Sequence, residues 1–444
     1  MATRPDSSSD IHGKTNALLP SNDGIATQPL PYEILENIFD SLGYIQLHLA
    51  FSDIEHTNSI VRVCRSWRYV LDTSPHLWAR VVIDFGILEA TREEERVSRS
   101  KFSRFLARCF ERSKDALLLV DIQGHREPPH PKSMEAWRGL FELIFKERHR
   151  LTGALDSYCV RTLFPSRTDD GDCSFPLVTS LRANWMDFLL GFPSVALPAL
   201  HTLWLDDLPR YMERFNHLHH GTFEDTIAFM DKYKHQIQTL VVSIQHGRDS
   251  LVSNCSDVAV FLMEWGEVVK DPALKRLCID IKRRSTSQHI SVEHWERPGS
   301  SIFPTIEELE ITGQPSTITS FLTWMDLPHL RRLDLTINPS GTWSRDRWLE
   351  GEWAELGPAL VAFARRKSSR QSLRSIVICN TKYLTVNSST MIPFLEEIGP
   401  LPELRDLHLL PHPDLKVQPA SNLEEGAAVV TRQLFPKLAH VTIF

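Results

Sequence analysis

The residues best suited to chemistry in this chain fall in three short clusters. His217-Leu218-His219-His220 puts three imidazoles within four positions, as a zinc site would need. Zinc sites add further ligands at set spacing, and neither HExxH nor a close cysteine pair is present, so a solvated loop is the simpler reading. Lys282-Arg283-Arg284 and the run RRKSSR over 365–370 would suit a phosphate group or a nuclear signal. The second run closes an amphipathic segment, where cations complement the C-terminal end of a helix dipole. GxxxxGK[ST], GxGxxG and GxSxG do not occur, so nucleotide and serine-hydrolase chemistry lack support. No catalytic residue, metal or cofactor is expected, and the chain does not read as an enzyme.

Composition narrows the field further. The 444 residues suggest about three domains or one elongated repeat array. A hydrophobic fraction of 42% is enough for a sizeable core. The net charge of −7, from 49 basic and 56 acidic residues, is the wrong footprint for a nucleic-acid partner. Seven cysteines, at Cys64, Cys109, Cys159, Cys173, Cys255, Cys278 and Cys379, are odd in number and form no CxxC pair. That usage fits a reducing compartment. No run approaches the ~18 apolar residues of a membrane helix, and no signal peptide or lipidation box is seen. No membrane partner is expected, and the cytoplasm, the nucleus or both is the expected location.

The elements that would carry function are more legible than any reactive site. Residues 1–28 are rich in Ser, Asp, Asn and Pro without apolar periodicity, and read as a disordered tail. In LPYEILENIFDSL (30–42), Ile34, Leu35, Ile38, Phe39 and Leu42 form one helical stripe, with Pro31 in its first turn. IVRVCRSWRYVL (60–71) gives a second helix, and SPHLW (74–78) a turn with two large apolar groups. Beyond residue 80 a different rhythm appears. Nine segments of the Leu-x-x-Leu-x-Leu type share an apolar residue, another three later and usually a third two after that, from PLVTSLRAN (176–184) and PALHTLWLDD (198–207) to PELRDLHLL (402–410) and PKLAHVTIF (436–444). Their middle anchors are Leu181, Leu203, Leu240, Leu277, Leu309, Leu333, Ile376, Leu407 and Val441, spaced 22 to 43 residues apart. Each ends in the alternation of a half-buried strand.

Amphipathic helices are expected between many of these strands. Thr222 is placed to cap one that buries Phe223, Ile227 and Met230. Ser256 is placed to cap another that buries Val258, Phe261, Leu262, Trp265 and Val269. Ile318, Phe321, Leu322 and Met325 give a third, and Trp353, Leu356, Leu360 and Phe363 a fourth. ARVVIDFG (79–86) and ALLLVDI (116–122) read as early strands, with helices over 91–113 and 136–148. An irregular helix–strand repeat is the signature of a leucine-rich solenoid, whose units cannot bury their apolar faces alone. An ordinary α/β sheet with coincidental leucine spacing is the other reading. The expected fold is therefore mixed, α+β/α/β: a small all-helical unit over 29–80, then an irregular α/β solenoid over 81–444 with atypical early units at 81–165.

LPYEILENIFDSL, VCRSWR and SPHLW occur in the order of the F-box family's motif, and residues 30–78 resemble that family. The repeat array behind them resembles, by arrangement, the target-binding half of leucine-rich-repeat F-box proteins, in particular the divergent kind abundant in fungi. One departure is the 20-residue connection over 43–62, about twice the family's usual length. The resemblance implies that the chain docks on a Skp-type adaptor, and through it on a cullin scaffold with its RING subunit, while the repeats hold an unidentified target protein for ubiquitin transfer. It implies an adaptor contact through Leu30, Pro31, Ile34, Leu35, Phe39, Val63, Cys64, Trp67 and Trp78. A module of about 50 residues cannot bury so many large groups itself, which points the same way. The alternative for Trp67 and Trp78 is packing against the first repeat. A structural adaptor outside any ligase is the alternative function. Target contacts would use strand positions that alternate away from the core: Trp204, Asp206, Glu310, Thr312, Asp334, Thr336, His408 and Leu410.

Overall fold

A computed structural model describes residues 31–41, 65–84, 95–123, 131–156, 174–184, 195–206, 220–245, 255–268, 272–282, 303–338, 348–379, 396–409 and 434–443. Two short helices come first, α1 (Tyr32–Ser41) and α2 (Arg65–Thr73), followed by a 3₁₀ turn at Pro75–Trp78 and strand β1 (Arg80–Asp84). Then come α3 (Glu95–Ser113), β2 (Leu118–Gln123), α4 (Pro131–Lys146), β3 (Leu151–Asp156), β4 (Val178–Asn184) and β5 (Thr202–Asp206). The middle of the chain holds α5 (His220–Lys232), β6 (Thr239–Gln245), α6 (Cys255–Val268), β7 (Arg276–Lys282) and β8 (Glu308–Gly313). The remainder is α7 (Pro315–Trp324), β9 (Arg332–Ile337), α8 (Trp348–Arg365), α9 (Lys367–Ser372), β10 (Ser375–Cys379), β11 (Asp406–Leu409) and β12 (His440–Ile443).

The strands form one 12-stranded sheet whose spatial order is their sequence order, and every pairing is parallel. Parallel neighbours need a crossover, so the chain advances one strand per crossover in a single direction. The fold is α/β. The nine anchors of the sequence rhythm fall into one register row: Leu181, Leu203, Leu240, Leu277, Leu309, Leu333, Ile376, Leu407 and Val441 are paired in that order. From Leu181 to Leu407 every one of them is buried. The next inward row, Leu205, Val242, Ile279, Ile311, Leu335 and Ile378, is buried too. A buried leucine contributes about 1.5–3 kcal/mol of transfer free energy, so two continuous rows account for the sheet's persistence. The ladder is offset once, between Gly153 and Ala154. Gly153 has φ +84, which glycine adopts without strain, and a Cβ there would lie 2.2 Å from a Leu119 methyl.

The helices supply the other half of this core. Ile227 and Met230 of α5, Val258, Phe261, Leu262 and Trp265 of α6, Ile318, Phe321 and Leu322 of α7, and Leu356, Leu360 and Phe363 of α8 are all buried, as the 3.6-residue spacing requires. Thr222 and Ser256 are not caps. Their helices begin earlier, at His220 and Cys255, so both residues lie inside the first turn. Apolar periodicity fixes which face is buried and leaves the starting residue open. Two arginines serve as caps of a kind not anticipated. Buried Arg150 donates to the carbonyl of Phe110 (2.8 Å), to the hydroxyl of Ser113 (2.9 Å) and to the carbonyl of Ala116 (3.1 Å), and pairs with Glu147 at 2.7 Å. Arg366 donates to the carbonyls of Leu322, Thr323 and Met325 at the end of α7. Each closes orphan carbonyls at a helix C-terminus with a cation from a later element.

Candidate interaction surfaces

The N-terminal helical unit is pinned by a few long-range polar contacts. Tyr32 Oη and Ser74 Oγ share a hydrogen bond of 2.5 Å, and Ser74 Oγ also donates to Glu36 Oε1 at 2.9 Å. Trp78 Nε1 donates to the Leu71 carbonyl at 2.5 Å, and the Arg112 guanidinium lies 4.5 Å from the Trp78 ring. Arg112 pairs with Asp72 at 3.4 Å, which ties α2 to α3. Leu35, Val70, Leu71, Leu77 and Trp78 belong to the same apolar core as Leu106, Cys109 and Phe110 of α3.

This geometry divides the expected adaptor contacts. Trp78 is only 4% exposed and Leu35 is buried, so both pack internally. Trp67 is half-buried against the core. Pro31 is exposed and Ile34 is 45% exposed. Leu30, Val63 and Cys64 lie outside the described residues, as does the Phe39 side chain. The physical reason for the division is the width of the stripe. Residues one apart differ by about 100° around a helix, so Leu35 turns inward while Ile34 turns out. Sequence reasoning missed Tyr69, which is 64% exposed and meets the Tyr32 ring edge-on at 6.3 Å. Its signal was available: in RSWRYVLDT the buried pair is Val70 and Leu71, and the preceding aromatic falls on the opposite side.

The other face of the sheet mixes polar and apolar side chains and is laid out in register. One row reads Trp204, Val241, Cys278, Glu310, Asp334, Val377 and His408, and the row beside it reads Asp206, Ser243, Asp280, Thr312 and Thr336. Trp204 is 40% exposed. The charged positions are engaged in pairs on the same face. Asp206 pairs with Arg182, Glu310 with Arg276 at 2.8 Å, and Asp334 with Arg332 at 2.8 Å. His408 is half-buried and also has a partner, and Leu410 lies outside the described residues. Alternation therefore placed these side chains correctly without showing that their charges are matched. Burial and then the neighbouring Glu310 push the Cys278 thiol up to about 12, and burial pushes Cys109 up to about 12. Both are weak nucleophiles at neutral pH.

At the N-terminal edge of the sheet a second row was not anticipated. Main-chain bonds of 2.7–2.8 Å link Gln238, Lys275, Glu307, Arg331, Arg374, Arg405 and Ala439 as successive rungs. These are the first variable position of each Leu-x-x-Leu segment, so aligning the segments in columns would have exposed them. The run over 365–370 is absorbed by structure at two positions: Arg366 caps α7, and Arg370 donates to the Pro400 carbonyl at 3.1 Å. Arg283, Arg284 and the 217–219 histidines lie outside the described residues. Among the described residues no group of His, Cys, Asp or Glu is arranged to hold a metal, and no helix is long and apolar enough to cross a membrane. No protein-family model matches the sequence, and no curated protein matches it.

Proposed function

We propose that this protein is the substrate-recognition subunit of an SCF-type (Skp-cullin-F-box) ubiquitin ligase, with an F-box at 29–80 and a leucine-rich-repeat-like solenoid behind it. The observation that carries the reading is a pairing in sequence order. A helical unit with the F-box pattern presents Pro31, Ile34 and Tyr69 outward, and behind it an array of parallel strands presents a long registered surface. Exposed apolar groups on two packed helices suit a protein partner. The chain performs no bond chemistry in this reading. It holds a target beside a charged enzyme and raises the effective concentration of target lysines there.

The test is set by the shared core. Trp78 and Leu71 pack with α3, so deleting 29–80 would open the first repeat and confuse loss of docking with loss of fold. Surface substitution avoids this. Ile34→Asp with Tyr69→Asp is expected to abolish co-purification of a Skp-type adaptor, and of a cullin with it, while the melting temperature stays within a few degrees. Adaptor retained at the wild-type level contradicts the assignment. Adaptor present without any cullin, in the wild-type chain, favours a structural adaptor outside a ligase.

A further inference from the structure

The N-terminal edge of the sheet holds a groove of about 590 Å³, lined among others by Lys275, Thr305, Glu307, Arg331 and Arg374. Its size is that of a ligand site. Its charge runs against that of the chain. The rungs Lys275, Glu307, Arg331, Arg374 and Arg405 carry four cations to one carboxylate, in a protein of net charge −7. Glu307 is spent on Arg331 at 2.8 Å. Lys275 and Arg374 donate no side-chain hydrogen bond among the described residues, and both side chains are exposed. At one end Glu403 faces Arg374 and Arg405, but Lys437 holds it at 2.6 Å and keeps its carboxyl below the usual range. Thr305 adds a buried hydroxyl that has no hydrogen-bond partner among the described residues. A row of cations without matching anions repels itself, and an anionic ligand relieves that repulsion.

We propose that this groove binds an extended acidic segment of a polypeptide. The spacing of the cations selects the class. Lys275 and Arg374 stand three rungs apart, about 14 Å at the usual strand separation. One phosphate or carboxylate cannot touch both. An extended chain advances about 3.3 Å per residue, so acidic side chains four residues apart span about 13 Å and meet both cations. The carboxylate of Glu307 between them disfavours a uniform polyanion. Nucleic acid, with a phosphate at every residue, would meet that charge and the net negative field of the protein. The groove lies at the N-terminal ends of β7 to β10, away from α1 and α2, and its binding needs neither an adaptor nor a cullin.

The experiment uses the full chain and a short fluorescent peptide with Glu at every fourth residue and Ser between, read by anisotropy at low salt. Binding is expected, with affinity falling as salt rises. Lys275→Glu with Arg374→Glu is expected to weaken it by about tenfold or more. Arg374→Gln alone, at an exposed position with no packing role, is expected to weaken it several-fold and covers the case in which the double variant misfolds. Pull-down of adaptor should be unchanged in both variants, which separates this groove from the docking helices. Peptide affinity that ignores both variants overturns the proposal. Single-stranded DNA of equal length binding more tightly than the peptide overturns it as well.

Discussion

The N-terminal helices and the central repeats solve the same problem in opposite ways. From β8 to β10 the core is a stack: Leu309, Leu333 and Ile376 lie in one register row, and Phe321 of α7 and Phe363 of α8 are fully buried behind them. Each unit leans only on its neighbours, and the outward face is left polar and ion-paired. Around α1 and α2 there is no ladder to share. Single hydrogen bonds bridge residues 38 to 42 positions apart, and Trp78 and Asp72 join α3 through Arg112. That region leaves Ile34 and Tyr69 exposed. The contrast teaches where a partner is needed. Among the described residues, β8 to β10 leave no large apolar side chain exposed, whereas the helical unit leaves Ile34 and Tyr69 and the earlier strand units leave Leu117, Leu177 and Trp204.

Three substitutions sharpen the contrast. The largest effect is expected from Phe321→Ala, which opens a cavity between α7 and the sheet and should cost about 3–5 kcal/mol in urea unfolding. A loss below about 1 kcal/mol would mean that the stack is looser than its burial implies. Next comes Trp78→Phe, which leaves the Leu71 carbonyl without its donor and should cost about 1–3 kcal/mol. Its signature is local: Arg112 loses its indole platform, and proteolysis should begin between α2 and α3 while the later repeats resist. The smallest is Arg276→Gln on the outward face. Its two ion partners are all substantially exposed, so the change should stay under about 1 kcal/mol and vanish at high salt. A larger or salt-independent loss would show that the outward charges hold the sheet together and do more than decorate it.

Much of this architecture was legible in the residues. The Leu-x-x-Leu-x-Leu rhythm located the strands from β4 onward, because a strand with one buried face must alternate. The 3.6-residue spacing found the buried faces of α5 to α8. Helix starts at His220 and Cys255 were missed by two or three residues, since capping is a matter of local backbone geometry. The candidate contacts divide more sharply. Alternation placed Trp204, Glu310 and Asp334 on the outward face; the pairing of Asp334 with Arg332 lies within one strand, whereas that of Glu310 with Arg276 depends on which strands become neighbours. Trp78 was a large group in a short module, and only the packing of α3 reveals that its partner is internal. The basic rim was missed because its rungs lie 24 to 43 residues apart in the sequence and show as a row only when the segments are aligned in columns.

The most direct measurement is amide hydrogen exchange on the full chain with and without a purified Skp-type adaptor. Protection confined to Tyr32–Ser41 and Arg65–Thr73, with β8 to β10 unchanged, is the expected result. Protection spread over the strands, or none in those two helices at saturating adaptor, would contradict the central claim that the helical unit is the docking end.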